Sequence, residues 1–163
     1  MALTPKERMA IERQQMPERA PDVRNRDFKE VNLGFREELA RLEASRCLQC
    51  KDSKCVIGCP VGIDIPGFLD RVVAGDLKGA AELLLSANAL PGITGRVCPQ
   101  EEQCEQVCIR AKGKNGKPVA VGHLERFVAD WARENLDMET LLAKPTGIKI
   151  GRASCRERVW TVV

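Results

Sequence analysis

Apolar residues recur at helical spacing in four stretches of this chain, and polar or turn-forming residues separate them. Residues 35–46 place Leu39, Ala40, Leu42 and Ala44 on one side of a helix. Residues 66–74 do the same with Phe68, Leu69, Val72 and Val73, behind Pro66 at the helix start. Gly75 closes that helix and Asp76 caps the next, over 77–87, where Leu77, Ala80, Ala81 and Leu84 fall at i, i+3, i+4 and i+7. The two form an αα-hairpin. Leu124, Phe127, Val128 and Trp131 stripe a fourth helix, which runs to about Asn135, and a last short helix is expected over 138–143. Between these, 88–96 reads as a loop broken by Leu90-Pro91-Gly92 and Gly95, 112–117 as a basic glycine-rich turn, and 118–121 as extended. No alternating pattern predicts a sheet, so the fold class is all-α.

The first 35 residues carry little apolar surface. Thr4-Pro5 with Glu7 predicts a short helix that Pro17 ends, and 21–34 is charged and extended, either laid over another surface or solvated. The expected organisation is an arm over 1–35 and a helical domain over 36–145.

The cysteines change the picture. Seven of the eight fall in two runs, Cys47, Cys50, Cys55 and Cys59 as C-x2-C-x4-C-x3-C-P, and Cys98, Cys104 and Cys108 as C-P-x4-C-x3-C. Thiolates at such spacings can wrap an inorganic centre. A cysteine run ending in Cys-Pro resembles the bacterial ferredoxin pattern, whose fourth cysteine serves a different cluster. A helical turn over 101–108 would set Cys104 and Cys108 on one face. Only one C-x2-C occurs, whereas zinc ribbons generally carry two, so iron–sulfur chemistry ranks above zinc and zinc above disulfides. Two four-iron clusters need eight protein ligands. Cys155, Glu125 and Glu101 compete for the eighth place. His123, the one histidine, is expected to face solvent.

The net charge of +3 is small and the charges are mixed, which does not describe a nucleic-acid footprint. No apolar run approaches a membrane span, the first residues lack the apolar stretch of a secretory signal, and a cytoplasmic chain with reduced thiols is expected.

The stretches Arg46-Cys-Leu-Gln-Cys-Lys, Gly58-Cys-Pro-Val, Ile65-Pro-Gly-Phe, Leu90-Pro-Gly-Ile-Thr-Gly-Arg-Val-Cys-Pro-Gln-Glu and Val121-Gly-His-Leu-Glu-Arg-Phe closely resemble the N-terminal iron–sulfur domain of the glutamate synthase small subunit. Similar domains occur in NADH-dependent ferredoxin:NADP oxidoreductase and in dihydropyrimidine dehydrogenase. The resemblance covers about residues 5–150. It implies an α-helical domain around two 4Fe–4S clusters. One would take Cys47, Cys50, Cys55 and Cys108. The other would take Cys59, Cys98, Cys104 and a non-cysteine ligand at the position of Glu125. It further implies electron transfer between FAD and a large catalytic subunit, with FAD and NADPH held by domains that follow. Residues 146–150 look like the first strand of such a flavin domain, but its glycine fingerprint does not arrive, so the chain alone is expected to turn over no substrate. Residues 151–163 depart from the pattern and are expected to be foreign to the fold.

Overall fold

The computed structural model describes residues 3–112 and 116–137. The expected helix over 138–143, the strand start at 146–150, the tail 151–163 and Cys155 lie outside the described residues. Among the described residues there are eight α-helices and no strand.

The arm opens with α1 (Pro5–Ala10). Thr4 caps it: its hydroxyl accepts from the Glu7 N–H, and the Glu7 carboxylate accepts in turn from the Thr4 backbone N–H. Pro21–Arg24 forms a single helical turn, α2, where extended chain was expected, because Pro21 supplies the φ of a first helical position. The remainder of 17–33 folds on itself, with the Leu33 N–H donating to Pro17 and the Arg19 N–H to Val31.

Helix α3 (Glu37–Ala44) buries Ala40, Glu43 and Ala44. That stripe leaves Leu42 42% exposed, contrary to its expected inward position, since it sits two residues round the helix from Ala40. Lys54–Ile57 is a short helix, α4, beginning where a loop was expected to end.

Helices α5 (Ile65–Ala74) and α6 (Leu77–Ala87) form the expected hairpin. The carboxylates of Asp64 and Asp76 accept from the N–H groups of Gly67 and Gly79. Gly75 links the helices at φ 81°, a left-handed conformation that costs a side-chain-bearing residue free energy. Ile65, Phe68, Leu69, Val72, Ala80 and Leu84 form the centre of the core with Leu124 and Val128.

The segment expected to be a loop contains a helix, α7 (Pro91–Val97). Pro91 begins it rather than breaking it. Gly95 lets it approach α8 (Val121–Asn135): a Cβ there would stand 2.6 Å from the Arg126 backbone nitrogen. α7 and α8 make the most extensive helix pair, and α8 also packs on α6 and α3. No described helix is long and apolar enough to cross a membrane.

Candidate metal centres

The run from Cys47 to Cys59 leaves the C-terminal end of α3 as a loop. Gln49 takes φ 53°, the one positive φ on a non-glycine residue among those described. Its side-chain amide donates to the Pro66 carbonyl at 3.0 Å, holding this strained turn against the start of α5. α4 carries Cys55, and Cys59-Pro60 turns the chain away beyond it. Residues 101–108 do not form the expected α-helix. A single 3-10 turn over Gln100–Glu102 gives way to turns and a second 3-10 segment over Ile109–Ala111. Gly58 explains the fit here, since a Cβ on it would meet the Val107 side chain at 2.7 Å and the Gln103 carbonyl at 3.2 Å.

Because 103–108 is a turn, Cys104 and Cys108 reach different cavities instead of sharing a helix face. A cavity of about 130 Å³ is lined by Cys47, Cys50, Cys55 and Cys108, with Arg110 beside them. A second, of about 70 Å³, is lined by Cys59, Cys98, Cys104 and Glu125, with Asn88 and Thr94. Both exceed the about 10–15 Å³ that one water needs. Glu101 is exposed and lines neither. Among the described residues no three His, Cys, Asp or Glu side chains converge as the ligands of a single metal ion would.

All seven described cysteines are free thiols. Burial pushes Cys55 up to about 11, helped by the nearby Cys47 and Cys108. Burial, then Glu105, Cys59 and Cys55, pushes Cys104 up to about 12. Cys104 thus senses Cys59 of its own cavity and Cys55 of the other. Cys98 is raised by burial, Glu125 and Cys59, and Cys47 by burial, against which the Gln49 N–H acts. The raised values of Cys47, Cys55, Cys98 and Cys104 favour the protonated thiol, so a metal that binds them must displace the proton.

Glu125 is 5% exposed. Its Oε1 accepts from Thr94 Oγ1 at 2.6 Å and from Asn88 Nδ2 at 2.8 Å. Burial raises its pKa, and these two hydrogen bonds oppose that. Sequence reasoning missed Asn88 and Thr94, which lay in the supposed loop.

It also missed a set of buried arginines. Arg46 and Glu43 are both 0% exposed and pair directly. Glu43 also accepts from the N–H groups of Gln14 and Ala120, while Arg46 donates to the carbonyls of Ile11, Lys117 and Pro118. Arg8 Nη1 donates to the Cys47 carbonyl at 2.6 Å. Arg13 pairs with Glu105 at 2.8 Å. The arm from Arg8 to Gln14 therefore lies against both cysteine runs. The signal for Glu43 was available, since Ala40, Glu43 and Ala44 share one helical stripe.

His123 is half-buried rather than solvent-facing. Its ring meets Phe35 edge-on at a centroid distance of 5.6 Å, and its Nδ1 is buried without a partner. Burial, then Arg13 and Arg126, push its pKa down.

A family model described as dihydropyrimidine dehydrogenase domain II, 4Fe-4S cluster, matches residues 24–137. The chain is 42% identical to the oxidoreductase AegA of Escherichia coli K12, over 69% of this chain and 17% of that protein. It is 37% identical to the NADPH glutamate synthase small chain of Azospirillum brasilense, over 73% of this chain and 25% of the relative. It is 40% identical to PreT of E. coli K12, a subunit of NAD-dependent dihydropyrimidine dehydrogenase, over 64% and 25%. The chain thus spans a quarter or less of the length of these relatives. On the strength of the matched 24–137 and the cysteine-lined cavities within it, the chain belongs to the dihydropyrimidine dehydrogenase domain II family of 4Fe–4S cluster domains.

Proposed function

We propose that this chain is an electron-relay module that carries two 4Fe–4S clusters and serves a flavin- and NAD(P)H-dependent oxidoreductase of the glutamate synthase small-subunit and PreT type. Cys47, Cys50, Cys55 and Cys108 hold one cluster. Cys59, Cys98, Cys104 and Glu125 hold the other. The observation that carries this reading is the pair of cavities, one lined by four cysteines and the other by three cysteines and Glu125. The donor chemistry suits it, since thiolates are the usual ligands of iron–sulfur clusters.

Each cluster supplies a one-electron carrier. The chain's own residues bind, orient and insulate. Thr94 and Asn88 fix the Glu125 carboxylate through Oε1, which leaves Oε2 for a metal. Ile63, Ile65 and Val121 keep the second cavity's wall apolar, and Leu48, Pro66, Val107 and Val119 do so for the first. Apolar surroundings limit water at the sulfurs and so help to set redox potential. The electrons enter from a flavin reduced by NAD(P)H and leave to a partner subunit. The nicotinamide and the partner subunit in that circuit rest on the names of the relatives, and the flavin on the family resemblance alone.

Anaerobically prepared protein should show thiolate-to-iron charge-transfer absorption that bleaches with dithionite and returns on adding a one-electron acceptor. A colourless, zinc-loaded protein overturns the reading.

A further inference from the structure

Arg110 is 8% exposed and lines the cavity with Cys47, Cys50, Cys55 and Cys108. A guanidinium has five N–H donors. Four are accounted for by backbone carbonyls: Nη1 donates to Arg8 at 2.6 Å and Arg46 at 3.4 Å, and Nη2 to Ile11 at 2.9 Å and Met9 at 3.4 Å. The fifth, Nε–H, is buried and has no partner. A buried donor left unsatisfied is destabilising, more so when the group is charged, so such a donor calls for an acceptor. The second cavity has nothing equivalent: its one charged lining residue is Glu125. The other charged residues of the first cavity, Asp52, Lys54 and Lys112, are exposed, and solvent screens them.

We infer that Arg110 donates its Nε–H to a sulfur of the cluster held by Cys47, Cys50, Cys55 and Cys108, and thereby makes this cluster the more readily reduced of the two. The inference rests on the two-cluster reading above. Its physical basis is that hydrogen bonds to cluster sulfurs and nearby charge tune cluster potentials. A buried guanidinium favours the state with one more electron. The Nη contacts with the arm hold the guanidinium in place, so Nε needs no conformational search. Arg110 is a positioning residue, tuning a centre it does not ligate.

The test uses the cluster-loaded protein in a redox titration followed by EPR. Glu125→Ala, which removes the other cluster, identifies the signal of the four-cysteine cluster. In wild-type protein labelled with 15N-arginine, pulsed EPR should show a 15N coupling and an exchangeable-proton coupling on that signal. Arg110→Lys keeps the charge and loses Nε–H; it should abolish the 15N coupling and move that cluster to a lower potential. Arg110→Met should move it further, with the other cluster's potential unchanged. The labelling measurement needs no variant, so a poorly folding Arg110→Met does not remove the test. A protein with both clusters loaded but neither 15N coupling nor a selective shift overturns this inference alone. A protein that loads no cluster on those four cysteines overturns the two-cluster reading with it.

Discussion

Thr94 Oγ1 lies 2.6 Å from Glu125 Oε1, joining α7 to α8 through a carboxylate that lines a cavity with three cysteines. Asn88, the residue that ends α6, adds a second donor at 2.8 Å to the same oxygen. Three helices thus fix one carboxylate. Partners that orient a ligand typically account for about 10–100-fold in metal affinity. Thr94→Val and Asn88→Ala should each speed iron loss to a chelator from one cluster by about that factor, leaving the other cluster's release rate unchanged. Equal acceleration at both clusters would contradict this.

Gly95 sets how closely α7 approaches α8. A Cβ there would meet the Arg126 nitrogen at 2.6 Å and its Cα at 2.9 Å, both backbone atoms that cannot swing aside. Gly95→Ala should destabilise the loaded protein by about 1–3 kcal/mol, the usual cost of overpacking, and increase the lability of the Glu125-side cluster. Unchanged denaturant midpoint and iron release would contradict this account of the glycine.

The Glu43–Arg46 pair is wholly buried and ties α3 to the arm and to 117–120. Removing one partner leaves an uncompensated charge. Glu43→Ala should therefore cost about 3–5 kcal/mol in equilibrium unfolding of the loaded protein. A loss of about 1 kcal/mol or less, the value of an exposed pair, would contradict it.

The α5–α6 hairpin was legible because its boundaries have local causes: Pro66 opens α5, Gly75 turns, Asp76 caps α6, and the apolar spacing between them is regular. α7 was not, because Pro91, Gly92 and Gly95 are breakers by local rule. Only the distant α8 gives Gly95 its purpose. The turn at 103–108 was missed for a related reason. The i, i+4 spacing of Cys104 and Cys108 fits a helix, yet these side chains go to separate cavities. The candidate ligands were readable as residue types and spacings. The side chains that orient them were not: Asn88 lies 37 residues from Glu125, and Arg110 lies 99 from Ile11. Periodicity alone cannot distinguish a buried arginine from a surface one.

Cys155 lies outside the described residues and was weighed as the eighth ligand. With Glu125 in that role, Cys155→Ser should leave iron content and the EPR signals unchanged. Loss of iron in that variant would transfer the role to Cys155.

The central claim is two clusters with Glu125 as a ligand of one. Iron and acid-labile sulfide per chain test it most directly, measured on anaerobically reconstituted wild type, Glu125→Ala and Glu125→Cys. The account predicts about eight irons and about eight sulfides for wild type and for Glu125→Cys, and about four of each for Glu125→Ala. About four irons in wild type, or about eight retained in Glu125→Ala, would contradict it.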